Sequence, residues 1–351
     1  MNDNRRLLRF INSTDNISLF YGNVSYSTPC FDRSFYRNFR TAMLWSDIVT
    51  DVLGTVLNLW LLLAILTSAE LRLRLRNRLL SSVCIQNLFE CLVYLPFSLY
   101  MYTVARNEAW TCPETMAINL IFYINEFVSN WNLVLILALA VVTLLGADLF
   151  LTRLSRWLSI AVTFGVLLMP WVLSVLVVPP TIFTHTEQIL LTRASKNETV
   201  CWTRMFDVRK ILYVLNIGVP AILIAICLAA TVFLSWKKKV RERTGVGEMA
   251  RQLIGGSNEA EGVLPYVAMT VIIYACDFGL VLNIIRSSYY KDCVTVTLKA
   301  AVNILEGFKV LLLPMTFLLF PEIRYRVKKT LELLRPAHRT SGLSISYVRE
   351  G

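Results

Sequence analysis

The stretch KILYVLNIGVPAILIAICLAATVFLSW, residues 210–236, holds no carboxylate and only one cation, Lys210, and it runs straight into KKKVRER at 237–243. An apolar block needs roughly 20 residues to cross the hydrocarbon of a bilayer. This one is long enough, and the cationic run that ends it reads as the cytoplasmic end of a membrane helix. Working outward, six further stretches qualify: about 43–67, 79–103, 115–147, 158–180, 263–285 and 294–320. The composition agrees. Of 351 residues 56% are hydrophobic and 17% charged, with a mean hydropathy of +0.56, whereas soluble domains sit near half apolar and a quarter charged. Gly 14 and Pro 11 exclude a collagen-like or low-complexity chain. The net charge of +11 would suggest nucleic acid in a soluble protein; here the cations flank apolar blocks, so the expected partner is the lipid bilayer and no nucleic acid is implied.

Two independent features orient the spans. Asn12, Asn16, Asn23 and Asn197 each head an N-x-S/T acceptor, which is used only on the lumenal side. Four spans separate the first three from Asn197, and an even number returns the chain to the same face, so the amino tail is expected outside. Charge points the same way: Arg72, Arg74, Arg76 and Arg78, then Arg153 and Arg156, then Lys237, Lys238, Lys239, Arg241 and Arg243 all fall in loops on the opposite face. Arg33, Arg37 and Arg40 before the first span oppose that bias. Met1 to Phe10 is too charged for a cleaved signal peptide, so the first span is expected to direct insertion. The eight cysteines divide on this map into Cys30, Cys112, Cys201 and Cys293 outside and Cys84, Cys91, Cys227 and Cys276 within spans. The outer set is even and faces oxidising conditions, which favour pairing. The inner set reads as small packing residues.

Seven spans, a sequon-bearing outer tail, Cys112 at the head of the third span and Cys201 in the loop after the fourth together resemble the rhodopsin-like G-protein-coupled receptors, over about 45–335. Asn58 is similar to the first-helix Asn of that family, Asn87 stands where its second-helix sodium-binding Asp would be, and Pro96 resembles its outer second-helix proline. Trp171 with Pro179 and Pro180 resembles the fourth-helix pattern, and Pro220 the fifth-helix proline. Leu313-Pro314-Met315-Thr316-Phe317 is similar to N-P-x-x-Y. The resemblance implies an all-α integral membrane fold, a seven-transmembrane helix bundle with a short amphipathic eighth helix. Its parts would be an extracellular tail at 1–42, the bundle at 43–320, and a cytoplasmic eighth helix and tail at 321–351. It also implies a Cys112–Cys201 disulfide and a Cys30–Cys293 bridge like that of chemokine and other peptide-type receptors.

Departures from the family are as informative. Its D-R-Y arginine has no counterpart: counting forward from Cys112 reaches Leu137, counting back from Trp171 reaches Leu144, and no Arg occurs between Cys112 and Arg153. The C-W-x-P of the sixth helix becomes Cys276-Asp277-Phe278-Gly279, which removes both the toggle Trp and the proline kink.

Ionisable groups inside a membrane cost about 2.5 to 3.5 kcal/mol each even on the insertion scale, so each calls for a partner or a wet cavity. Here they are Asp47, Asp51, Glu90, Glu126, Asp277, Lys299, Glu306 and Lys309. Glu306 and Lys309 are three apart on one helix and are expected to pair; Asp47 and Lys299 can reach an interface by snorkelling. Glu126 and Asp277 fall where the resemblance places a ligand cavity, suited to a cation. Glu126 is then either the counter-ion of an amine or a carboxyl bonded to Asn87, Asn303 or Asn58. Tyr123, Tyr274, Lys299 and Asn303 complete the expected pocket.

Catalysis is not expected: only His185 and His338 occur, and no Gly-rich phosphate loop, cofactor motif or metal-ligand spacing is visible. The expected function is that of a multi-pass plasma-membrane receptor, passing an unknown extracellular ligand's signal to a heterotrimeric G protein. The alternative is a non-coupling scaffold or decoy for another membrane protein. Ser341, Ser344 and Ser346 are candidate phosphorylation sites in the tail.

Overall fold

The computed structural model describes residues 33–104, 112–145, 156–185, 187–193, 198–204, 211–243, 262–289 and 293–334. Helix α1 spans Arg33–Thr67, and a single turn α2, Ala69–Leu73, follows. Helix α3 is Leu75–Phe89, continued through a π-helical turn at Glu90–Tyr94 into α4, Leu95–Val104. Then come α5 at Cys112–Leu144, α6 at Arg156–His185, and a hairpin of β1 (Glu187–Arg193) and β2 (Glu198–Arg204). A second π-helical turn, Val214–Gly218, leads into α7, Val219–Arg243. Helices α8 (Leu264–Tyr289), α9 (Cys293–Phe317) and α10 (Pro321–Leu334) complete the described chain.

Among the described residues, five segments are long and apolar enough to cross a membrane: Leu44–Thr67, Leu75–Phe97, Met116–Leu144, Ile160–Thr184 and Ile211–Val240. The expected spans at 263–285 and 294–320 coincide with α8 and α9, where the described residues give the shorter apolar segments Leu264–Asp277 and Gly307–Phe317. The side-chain distribution fits lipid as the solvent. Val56, Ile222, Ile226 and Phe233 face outward, while Asn58, Gln86, Asn87, Asn132, Asn216 and Lys309 are buried. A water-soluble bundle would reverse this. The protein is a helical, membrane-embedded one, and its single described sheet is the antiparallel hairpin pairing Leu190 with Cys201.

Contacts join α1 to α3, α3 to α5, α5 to α7, α7 to α8, α8 to α9 and α9 back to α1, which closes a ring; α6 packs on α5 and α3 from outside, with only 11% of its apolar segment buried. Polar groups knit the ring. Asn58 donates to the carbonyls of Gly54 (2.8 Å) and Val310 (2.9 Å), and Asn87 donates to Asn58 at 3.0 Å, so one amide holds α1, α9 and α3. Trp171 of α6 reaches Ser82 of α3 at 3.5 Å.

Gly54 permits a close approach of α1 to α9 and to the π-helical turn at Glu90–Tyr94. A Cβ there would stand 2.9 Å from Cys91 Sγ and 3.0 Å from Val310 Cγ2. Gly54→Val is therefore expected to cost about 1 to 3 kcal/mol through overpacking. A fall in Tm in a detergent thermal scan, partly recovered when Val310→Ala accompanies Gly54→Val, would check it; an unchanged Tm would refute the tight approach.

Both π-helical turns lie just before a proline, Pro96 and Pro220. A proline offers no N–H to the carbonyl four residues earlier and its ring crowds that carbonyl, and a π turn absorbs the crowding with one extra residue. For Pro220 that carbonyl belongs to Asn216, and Asn130 of α5 donates to it at 3.0 Å. Asn216 in turn donates to the Tyr123 carbonyl at 3.0 Å. Asn130→Leu is expected to leave the carbonyl unsatisfied and destabilise by about 1 to 3 kcal/mol, measurable in the same thermal scan; Asn130→Gln should lose less.

At the far end of the ring α10 buries Ile323 and Val327, one helical turn apart, and turns Arg324, Tyr325, Lys328 and Lys329 outward. Arg76, expected on an exposed basic face, is instead buried. Its guanidinium lies 4.3 Å from the centre of the Phe320 ring and pairs with Glu322. The aromatic face of Phe320, itself buried, is what draws it in. Arg72 and Arg74 are exposed, as are Lys237, Lys238 and Lys239 on α7. Arg153 and the Arg241 side chain lie outside the described residues.

Candidate functional site

The centre of the ring holds an ion cluster. Lys309 of α9 is wholly buried and donates to Glu126 Oε1 of α5 at 2.8 Å and to Asp277 Oδ1 of α8 at 3.2 Å. One ammonium thus ties three helices. Helical spacing pairs Lys309 with Glu306 in the sequence; the structure sends it across the bundle, and the Glu306 side chain lies outside the described residues. Glu126, for which Asn87, Asn58 and Asn303 were alternative partners, meets Lys309, while Asn87 and Asn58 bond each other. An internal cation therefore already answers the acidic cavity that the sequence suggested.

A second polar cluster adjoins the first along α5. Asn125, the neighbour of Glu126, donates to Glu90 Oε2 at 2.8 Å, and Gln86 donates to the same oxygen at 3.2 Å and to Asn125 at 2.9 Å. Glu90 opens the π-helical turn that precedes α4. Two amides meet this carboxylate and a lysine meets the next, so each buried acid has a donor.

Next to the ions lies a cavity of about 300 Å³ between α5, α8 and the π-helical turn that enters α7. Its walls include Asn130, Tyr213, Ile217, Ile273, Tyr274 and Asp277. Tyr274 donates to the Ala221 carbonyl at 2.5 Å, which joins α8 to α7 beside the cavity. Tyr123 is buried edge-on to Tyr213, ring centres 6.0 Å apart. Of the pocket residues expected from sequence, the structure thus brings Tyr123, Glu126, Tyr274 and Asp277 to one region. Lys299 and Asn303 lie on α9, and their side chains are outside the described residues.

Among the helix landmarks, Pro220 follows the π turn, Pro314 lies within α9, and Cys276 donates its thiol to the Leu305 carbonyl at 3.4 Å. Cys84, Cys91, Cys227 and Cys276 form no disulfide among the described residues, and Cys84, Cys91 and Cys276 are buried. Cys112 begins α5, Cys201 sits in β2 and Cys293 begins α9, and β2 packs against α5. The side chains of these three, and Cys30, Asn12, Asn16, Asn23 and Asn197 altogether, lie outside the described residues. Among the described residues no group of three His, Cys, Asp or Glu could hold a metal.

No protein-family model matches this chain, and no curated protein sequence matches it either.

Proposed function

We propose that the chain is a seven-helix cell-surface receptor of the rhodopsin-like type, with its amino tail outside and its carboxyl tail in the cytoplasm. It passes the binding of an extracellular ligand to a heterotrimeric G protein. The observation that carries this reading is the single ammonium of Lys309 shared by carboxylates from two other helices. A ligand shifts a protein between packings only through interactions that differ between them. A three-helix ion cluster beside a cavity is such an interaction, because any relative movement of α5, α8 and α9 changes which carboxylate the lysine can reach. The closed helix ring and the Asn58 amide joining α1, α3 and α9 support the same reading. The cations Arg72, Arg74, Lys237, Lys238 and Lys239 would face the anionic inner leaflet and an acidic partner.

A second reading has its own observation. No Arg lies between Cys112 and Arg153, and Asp277 stands where the resemblance places a Trp. A seven-helix scaffold or decoy that binds another membrane protein without coupling would dispense with both.

G-protein dissociation in cells expressing the intact chain, across the four G-protein families and at verified surface expression, separates the two. The receptor reading expects a signal above that of cells lacking the chain, basal or ligand-driven. Silence from the intact chain with a signal from Leu144→Arg favours the scaffold.

A further inference from the structure

The corner where α10 meets the turn between α1 and α3 carries far more positive than negative charge. Among the described side chains, Arg72, Arg74, Arg76 and Arg78 on one side and Arg324, Arg326, Lys328 and Lys329 on the other are set against two carboxylates, Glu70 and Glu322. Glu322 takes two of the guanidiniums on a single oxygen, the buried Arg76 and, at 3.2 Å, Arg74, whose side chain is 53% exposed. Glu322, Arg326 and Lys329 recur at i, i+4 and i+7, so they share one face of α10. The ion pair sets Arg74 against that face. From Glu322 to Lys329 the face runs about 10 Å along the axis.

We propose that this corner binds the phosphorylated headgroup of an anionic lipid, with Arg74 and Arg326 holding one phosphate and Lys329 a second. Charge sets the ligand's chemistry. A phosphomonoester carries about −1.5 to −2 charges at neutral pH, and its oxygens match the guanidinium fork. Arg74 can turn from Glu322 to a phosphate without baring that carboxylate, because Arg76 stays on it. Depth sets the source. Residues 68–74 join apolar segments that end at Thr67 and begin at Leu75, and α10 starts at Pro321, just beyond one that ends at Phe317. The corner therefore lies at the level of lipid headgroups. Leu73, between Arg72 and Arg74, and Tyr325, between Arg324 and Arg326, are 79% and 69% exposed. At that level they meet acyl chains while the cations beside them meet phosphate, which a soluble phosphate cannot match. The receptor reading enters only in placing this corner at the cytoplasmic leaflet.

The test uses the full chain in detergent micelles with dioctanoyl phosphatidylinositol bisphosphate as the probe, its adducts counted by native mass spectrometry. One saturable adduct is expected, and dioctanoyl phosphatidylserine at matched total charge should not displace it. Inositol trisphosphate, which lacks acyl chains, should compete only at concentrations at least about tenfold higher than the lipid. Arg326→Gln with Lys329→Gln should weaken binding by at least about tenfold. Lys329→Glu alters an exposed side chain, so it should do the same while the protein stays folded, even if the double variant misfolds. Arg326→Lys should weaken binding although it keeps the charge, since it loses the fork. Equal retention of phosphatidylserine, binding unchanged in Lys329→Glu or in Arg326→Lys, or no adduct on folded protein would each overturn the proposal. Competition by inositol trisphosphate equal to that of the lipid would overturn the membrane source. Micelles expose both ends of the bundle, so the result does not depend on which face is cytoplasmic. Lipid retention without G-protein activation in cells would leave the site standing and remove the receptor reading; activation without lipid retention would do the reverse.

Discussion

Replacing Lys309 by Met is expected to destabilise the protein by about 3 to 5 kcal/mol, because it strands two carboxylates in the bundle centre with their shared cation gone. The expected readout is a fall in Tm on the order of 10 °C, with loss of surface expression in cells. The size comes from asymmetry. Coulomb attraction in a buried pair is largely spent on desolvating its members, so removing the whole cluster is far milder than removing one member. Lys309→Met combined with Glu126→Gln and Asp277→Asn should therefore recover more than half of the lost Tm, although it carries three substitutions instead of one. If the single substitution leaves Tm unchanged, the lysine is not the counter-charge of these acids. If the triple variant is worse than the single one, the cost lies in packing and not in charge. Under the receptor reading the recovered triple variant has lost its charge-dependent tie between α5, α8 and α9, so its basal signalling should differ from that of the intact chain even where its stability does not.

The sequence disclosed the spans better than it disclosed the site, and the reason is physical. Hydrocarbon thickness imposes a length and a composition on each crossing, and both are one-dimensional quantities that a run such as residues 210–236 displays openly. Which face of a helix looks inward is not one-dimensional when nearly every face is apolar. Lys309 shows the consequence. Spacing along α9 offered Glu306 as a neighbour, but a lysine that points into the bundle bonds whatever faces it from α5 and α8. The rule that intramembrane ions are expensive did single out Glu126, Asp277 and Lys309; only their joining was hidden. The π turns were hidden more completely. One inserted residue leaves hydropathy unchanged, and the available signal was Pro96 and Pro220 together with an amide, Asn130, at the level of the second proline. Residues of that turn, Val214, Ile217 and Gly218, form part of the cavity wall. The burial of Arg76 was hidden for a related reason. In LRLRLRNR, residues 71–78, every Arg looks alike, and only the fold brings Phe320 beneath one of them.

Arg76→Ala is expected to release α10 from the bundle. The guanidinium joins three elements: it belongs to α3, lies over Phe320 in the turn before α10, and pairs with Glu322 in the first turn of α10. Phe320 also packs edge-on to Tyr266 at the start of α8, ring centres 5.6 Å apart, so the same contact reaches a helix of the ion cluster. Losing the buried partner should cost about 3 kcal/mol, the lower end for a broken buried pair, because the more exposed Arg74 still holds Glu322 at 3.2 Å. Amide hydrogen exchange over residues 321–334 would read this directly as exchange faster by about 100-fold, with the amides of α5 little affected. Arg76→Lys should recover only part of the protection, since an ammonium keeps the charge but not the flat face that stacks on Phe320. Exchange unchanged in Arg76→Ala would mean that Ile323 and Val327 hold α10 by apolar burial alone. Under the receptor reading, the released helix would present Arg324, Lys328 and Lys329 to the membrane without a fixed position, so a partner that reads α10 and α7 as one surface should bind more weakly.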